Sequence, residues 1–433
     1  MHESRKLDPM IFGQPAPYNS TMNAFIRPFT ALRPKAAHAA DVAAPPYDVV
    51  NTEEARGLVA HRPNSFLHIS RPEIALPPET DPYSDIVHAR ARENFERLKA
   101  SGLMVRDAMP AYYVYKLKMA QHEQTGIALT ASIDAYKTNR VRKHELSHPT
   151  KEDDRVRNMQ SLNAQTGPVL SIHQANKSLK ELLEEIKTEA ALFEVKGEYD
   201  VVHTIWRIED IKKISTISFT FNAMQAIYIA DGHHRSAAAA RVADMRRTPE
   251  SSGQENYNYF LTVVFPHDEV QIFDYNRAVK DLNGLSVSEL LQRLAKDFDV
   301  KASNSPVRPE EPAVFGMFVD NQWYRLMLRT ELVPKNDLVA QLDVSLLQDC
   351  ILTKILDVGD PRTDPRIDFI GGVRGLKELE QLVCKGEQAI AFSLYPTRME
   401  QLMTVADAEE LMPPKSTWFE PKLADGLLSH ILD

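Results

Sequence analysis

The 433-residue chain has only two cysteines, Cys350 and Cys384, which provide neither a disulfide framework nor metal-ligand spacing. That scarcity fits a reducing compartment, and both thiols are expected in the core. No run approaches the roughly eighteen apolar residues that a membrane-spanning helix requires. The opening residues, MHESRKLDPMIFGQPAPYNST, lack the continuous apolar core of a signal peptide. An excess of positive charge is missing too, since 51 Lys and Arg face 60 Asp and Glu for a net charge of -9. Nucleic acid and anionic membranes are therefore not expected as partners, and any phosphate site must be local. Internal repeats and low-complexity tracts are also absent. The expectation is a cytoplasmic protein acting on a small-molecule substrate, alone or as a homodimer.

What is present is an alternation of helix and strand patterns, which predicts an α/β (α+β) protein with a mixed sheet. Residues 1–22 read as a flexible tail, with Met22 an alternative start, and 23–160 as an N-terminal part. Within it, Asn51 or Thr52 caps a helix, residues 82–101 carry helical periodicity, and 111–119 with 126–136 read as a hairpin turning at QHEQT. A core part spans 161–265, with strands at 167–174 and 200–208 and helices at 177–192 and from Ile208. The C-terminal α/β part, 266–433, follows. The stretch 258–279 reads as a hairpin across that boundary, and further patterns predict a helix at 287–298, strands at 313–329, a helix at 345–356 and a strand at 388–396.

The densest ionisable cluster lies in IYIADGHHRSAAAARVA, residues 227–243, between a strand pattern and an alanine-rich helix pattern. Gly232 allows a sharp turn and close backbone approach, and the helix start, including Ser236, offers unpaired N–H groups to an anion. Arg235 brings a planar fork for phosphate oxygens, while His233 and His234 add donors or a proton carrier. Asp231, at the carboxyl end of the strand, is a candidate magnesium ligand. Its blander alternative is a helix cap, with both histidines merely packed.

The motifs IADGHHRSAAA, RPFTALRP, APPYDVV, SFLHISRPE, KHELSHPTKEDDR and LMPPKSTWFEPKLADGL together resemble an uncharacterised bacterial family, domain of unknown function 1015. More distantly, the seam at Asp231 is similar to the ParB/sulfiredoxin superfamily, whose free serine kinases carry Asp-Gly-His-Thr-Arg. Asp231, Gly232, His233 and Arg235 match that form, with His234 in place of threonine. The resemblance implies a nucleotide-binding core enlarged by a long insertion, with ATP or ADP and Mg2+ as cofactors. It also implies a kinase of free L-serine or a similar hydroxyl metabolite, or alternatively a non-catalytic nucleotide switch of ParB type. The cysteine of the sulfiredoxin motif is absent, and no basic helical pair of ParB type follows Met245.

Phosphoryl transfer also needs cations and a carboxylate for the attacking hydroxyl. Lys143, Glu145 and Arg155 in KHELSHPTKEDDR supply such types, and Lys415 with Ser416, Thr417 and Lys422 could close over a phosphate beside Trp418 and Phe419. The family's early glutamate has no counterpart between Phe25 and Val50, which leaves Asp48, Glu73 and Glu145 as contenders for the base. HELSH at 144–148 fits the zinc-protease pattern H-E-x-x-H, but Pro149 disfavours the continuous helix that this pattern requires.

Overall fold

The computed structural model describes residues 24–433, so the tail expected over 1–22 lies outside the described residues. The architecture is mixed α/β, built around one nine-stranded sheet. Its main path runs Val141–Arg142, Ile227–Asp231, Val169–His173, Tyr259–Pro266, His122–Ser132, Tyr112–Met119, Val202–Ile208, Phe193–Lys196. Two of these pairings are parallel, Ile227–Asp231 on Val141–Arg142 and Tyr259–Pro266 on Val169–His173, and the remaining ones are antiparallel.

Strand periodicity explains why this sheet is buried on both sides. Tyr113, Tyr115 and Leu117 join one apolar cluster, while Tyr112 and Val114 join another on the opposite face. The motif strand divides likewise, with Tyr228 and Ala230 in the first cluster and Ile227 and Ile229 in the second. Small residues of the following helix, His233–Arg246, complete the second cluster through Ala238, Ala239, Val242 and Ala243. A six-stranded antiparallel sheet forms the C-terminal part, and its Phe315, Met317 and Phe392 share the first cluster with the large sheet. That continuity joins the two sheets through one apolar core.

Local signals set most elements. Asn51 forms a reciprocal capping box with Glu54 for the helix Thr52–Val59, and the helix Asp85–Ala100 stops before Gly102, whose φ is +76°. Helices follow at Lys177–Lys187 and Ile211–Ala223. The stretch 258–279 is not a hairpin. Tyr259–Pro266 is already bonded on both sides, to His122–Ser132 and Val169–His173, so it has no free edge for its successor. The chain instead leaves the large sheet, pairs Gln271–Phe273 with Trp418–Glu420, and enters the smaller sheet at Tyr275–Val279. The first hairpin turns more tightly than expected, because His122 already pairs with Met119. Cys350 is half-buried and Cys384 exposed, so neither thiol lies deep in the core.

Candidate functional site

The motif strand ends in an irregularity. Its pairing with Val169–His173 shifts register between Ile229 and Asp231, a bulge that redirects the Asp231 side chain. Gly232 follows with φ +96° and ψ 29°, a left-handed conformation that suits glycine, and serves as N-cap of the helix His233–Arg246. A Cβ on Gly232 would stand 3.1 Å from Arg235 Nε, so the turn is also closely packed. No side chain caps this helix, and the Arg235 and Ser236 amides donate to the Gly232 carbonyl at 2.9 and 3.0 Å, which leaves the His233 and His234 amides and the partial positive charge of the helix start to meet an anion. Asp231 is therefore not the helix cap.

A cavity of about 110 Å³ opens at this turn. It gathers Asp231, Gly232, His233, His234 and Arg235 with Asp48, Glu145 and Lys415, residues widely separated in sequence. Each is held by a different device. Arg71 donates from Nη1 to the carbonyls of Tyr47 and Val50, both at 2.9 Å, clamping the Pro-Pro turn that carries Asp48. Glu145 is positioned through its neighbour His144, whose Nδ1 bonds the Ile229 carbonyl at 2.9 Å and whose own carbonyl accepts from Met412 N at 2.8 Å. Arg277 Nη2 donates to the Lys415 carbonyl at 2.9 Å.

Charge is distributed unevenly across the cleft. Asp231 Oδ2 accepts from Lys422 Nζ at 3.0 Å, so the expected magnesium role of Asp231 competes with an ion pair already in place. Burial opposes the charge of Lys422, but Asp231, Glu420 and Asp48 outweigh it and its pKa rises. Lys415 behaves alike, with burial offset by Tyr275, Glu145 and Asp48. Burial and the nearby Lys415 instead lower the pKa of Lys151. The histidines contribute no positive charge at neutral pH: burial pushes His144 and His234 down to about 4, and His233 also falls well below its ordinary value. Burial raises the pKa of Glu145, a direction suited to a carboxylate that accepts a proton.

Several residues expected at a phosphate lie one layer back. Arg155 pairs with Asp154, Nε to Oδ2 at 2.9 Å, and its guanidinium lies 3.9 Å from the centre of the Tyr47 ring, where it supports the cleft wall. Lys143 rests over the Tyr136 ring at 4.6 Å, and Ser236 Oγ donates to the His233 carbonyl at 3.1 Å. Neither lines the cavity. Arg235 does, but its Nη1 also bonds the Pro168 carbonyl, so only part of its fork is free. Glu73 pairs with Arg71 at 2.7 Å outside the cleft, which leaves Asp48 and Glu145 as the carboxylates able to address a hydroxyl. HELSH is no helix, because His148 is extended (φ -80°, ψ 125°) and helix begins only at Pro149. The zinc-protease arrangement is thereby excluded.

Sequence reasoning missed Tyr47, Lys151 and Tyr275, which also line the cleft. The first two sit inside motifs already singled out and could have been found there. Tyr275 follows the sheet crossing at 271–275 and has no local signal.

The chain belongs to the family described as protein of unknown function (DUF1015), which matches residues 26–345. No protein of curated function matches it. Among solved structures it is similar to a free serine kinase in complex with AMP, at 14% identity, with 69% of this chain and 92% of that chain covered and a TM-score of 0.35. It is also similar to a conserved hypothetical protein from Pyrococcus furiosus, at 14% identity, covering 69% and 93%, with a TM-score of 0.36. SbnI with a C-terminal truncation, from Staphylococcus aureus, is 10% identical, with 69% and 85% covered and a TM-score of 0.37.

Proposed function

We propose that this member of the family is a phosphotransferase that uses ATP or ADP and phosphorylates a hydroxyl-bearing small molecule, free L-serine or a similar metabolite. The observation that carries the reading is convergence in one cleft. Lys151, Arg235, Lys415 and Lys422 line one cleft at an uncapped helix start together with the carboxylates Asp48, Glu145 and Asp231. Phosphoryl transfer is catalysed chiefly by positioning and by stabilising spread negative charge, which this arrangement supplies.

In the step envisaged, the acceptor oxygen forms a bond to the terminal phosphorus as the bond to the departing ADP or AMP oxygen breaks. The hydroxyl proton passes to Asp48 or Glu145. First-turn amides and Lys415 orient the phosphate oxygens, and Lys422 holds Asp231 in place. Magnesium prefers oxygen ligands, and Asp48 and Asp231, which line the cleft, would hold it together with phosphate oxygens, where it would neutralise phosphate charge. The cleft itself is too small for a nucleotide. An adjoining cavity of about 440 Å³ shares Val49, Trp418 and Lys422 with it and lies in the size range of small-molecule sites. Trp418 would offer a stacking face there for a base.

The test is to incubate purified protein with ATP or ADP, magnesium and a pool of hydroxyl metabolites, and to search for a new phosphorylated product by mass spectrometry. Asp231→Asn is expected to lower turnover by at least about 10². Nucleotide binding with no product would sink the kinase in favour of a ParB-type switch.

A further inference from the structure

The inner wall of the cleft holds a second constellation that phosphate binding does not use. His144, Glu145 and His233 each offer one ligand atom, and these atoms lie within 4.8 Å of one another. The His144 and His233 rings stand edge to face with centroids 4.5 Å apart. Both histidines are buried, and Glu145 lines the cleft beside His233.

The hydrogen bonds point the same way. His144 Nδ1 is taken by the Ile229 carbonyl, which fixes the proton there and leaves the Nε2 lone pair facing the cluster. Its remaining contact at that nitrogen is the Thr417 hydroxyl, at a long 3.4 Å. His233 Nε2 is buried with no hydrogen-bond partner among the described residues. A ring nitrogen buried without a partner is uncommon and asks for an explanation. An imidazole that donates one N–H to a backbone carbonyl, as His144 does, has the outer-shell support usual for a metal ligand.

We propose that His144, Glu145 and His233 hold a first-row divalent transition-metal ion, zinc or an ion of like preference, distinct from any magnesium that accompanies a nucleotide. Two imidazoles and one carboxylate match the ligand preferences of zinc and its neighbours, whereas magnesium takes oxygen. Bond lengths of about 2.0–2.2 Å require the three ligand atoms to draw together from their present spacing of up to 4.8 Å. Three protein ligands leave an open position toward the cleft, as catalytic rather than structural zinc sites do. Half of the HELSH motif thus serves as ligand, with His233 of the turn motif supplying what His148 does not. An ion on Glu145 leaves Asp48 as the carboxylate for the acceptor hydroxyl, and that consequence alone rests on the phosphotransferase reading.

The test is a cobalt(II) titration of the full chain after chelator dialysis, read by visible absorption, with zinc content measured on the protein as purified. One equivalent of cobalt, displaced by zinc, is expected. Glu145→Gln and His233→Asn should weaken uptake by more than the ten- to hundred-fold that even an outer-shell change costs. Asp48→Asn and Asp231→Asn should bind cobalt as the parent does, which separates this site from a magnesium site. Circular dichroism is to establish that each variant is folded, and His144→Ala is avoided because its ring supports the motif strand. Failure of folded parent protein to take up cobalt or zinc, or equal uptake by both ligand variants, overturns the proposal. Metal uptake without phosphotransfer overturns only the function proposed above, and phosphotransfer without metal uptake overturns only this one.

Discussion

The cleft at the turn motif encloses about 110 Å³ among three carboxylates and four cations, while the adjoining cavity encloses about 440 Å³ beside Ala43, Ala44, Pro45, Met119, Val201 and Leu423. Trp418 belongs to both walls, and so does Lys422, whose ammonium sits 4.6 Å over the Trp418 ring while it bonds Asp231. One cavity concentrates charge with little volume, and the other offers volume lined mostly by apolar side chains. A molecule with a charged end and an organic body needs both. The contrast teaches that chemistry and capacity are supplied by different stretches of chain and meet along residues 418–422.

The strongest way to break that contrast is to remove charge from the smaller cavity. Arg235 is buried amid Asp48, Asp231 and Asp425, so Arg235→Ala would leave those carboxylates short of a partner. Chemical denaturation should show a loss of about 3–5 kcal/mol, the cost of stranding buried charge. A loss below about 1 kcal/mol would mean that the carboxylates are solvated and the cleft is less closed than described.

Acid and base should act oppositely through two buried groups, one beside each cavity. His203, beside the larger one, bonds Tyr115 and is held by burial at about 4, below its unfolded value. From about pH 6.5 down to 4 the unfolded chain takes up a proton that the folded chain refuses, so stability falls as pH falls, by up to about 1.4 kcal/mol per pH unit for one proton. Asp425, behind the smaller cavity, is raised by burial to about 7. Between about pH 4 and 7 the folded chain keeps a proton that the unfolded chain has lost, so its contribution falls as pH rises. His203→Gln should flatten the acid limb of a stability profile and Asp425→Asn the opposite limb. Unchanged slopes in both variants would contradict the burial assigned to these groups.

A smaller effect tests the turn itself. Gly232→Ala, at φ +96° and in close contact with Arg235, should lower the unfolding free energy by about 1–2 kcal/mol in a thermal or chemical melt. The mildest change sharpens the division between the cavities. Val373 is exposed on the rim of the larger cavity alone, so Val373→Trp should weaken nucleotide binding several-fold and leave inorganic phosphate binding unaltered in calorimetry. Equal weakening of both ligands would show that the two cavities act as one.

Much of the smaller cavity was legible. The strand, the glycine turn and the helix could be read from 227–243, and Asp48, Glu145 and Lys415 each lay in a conspicuous motif. What could not be read was which polar groups would face inward. Arg155 and Lys143 looked as available as Lys415, yet they lie over the Tyr47 and Tyr136 rings, at 3.9 Å and 4.6 Å, and do not line the cavity. The larger cavity left no trace in the sequence, because alanines and prolines around a void look like alanines and prolines in a core. The expected hairpin at 258–279 failed for a related reason. Strand pattern reports that a segment pairs, and the occupancy of its edges decides with what.

By itself the sequence determined the elements whose causes are local: the capping box at Asn51 and Glu54, the two-faced strands, and the glycine that turns strand into helix after Asp231. Tertiary structure alone decided that Lys422 would meet Asp231 across 191 positions, that His233 would join His144, and that an organic-sized cavity would open beside Trp418. The physical reason is one of range. Backbone hydrogen bonds and side-chain periodicity act over a few residues. The partner of a charge or an imidazole is chosen only when burial removes water and brings distant segments within a few ångströms.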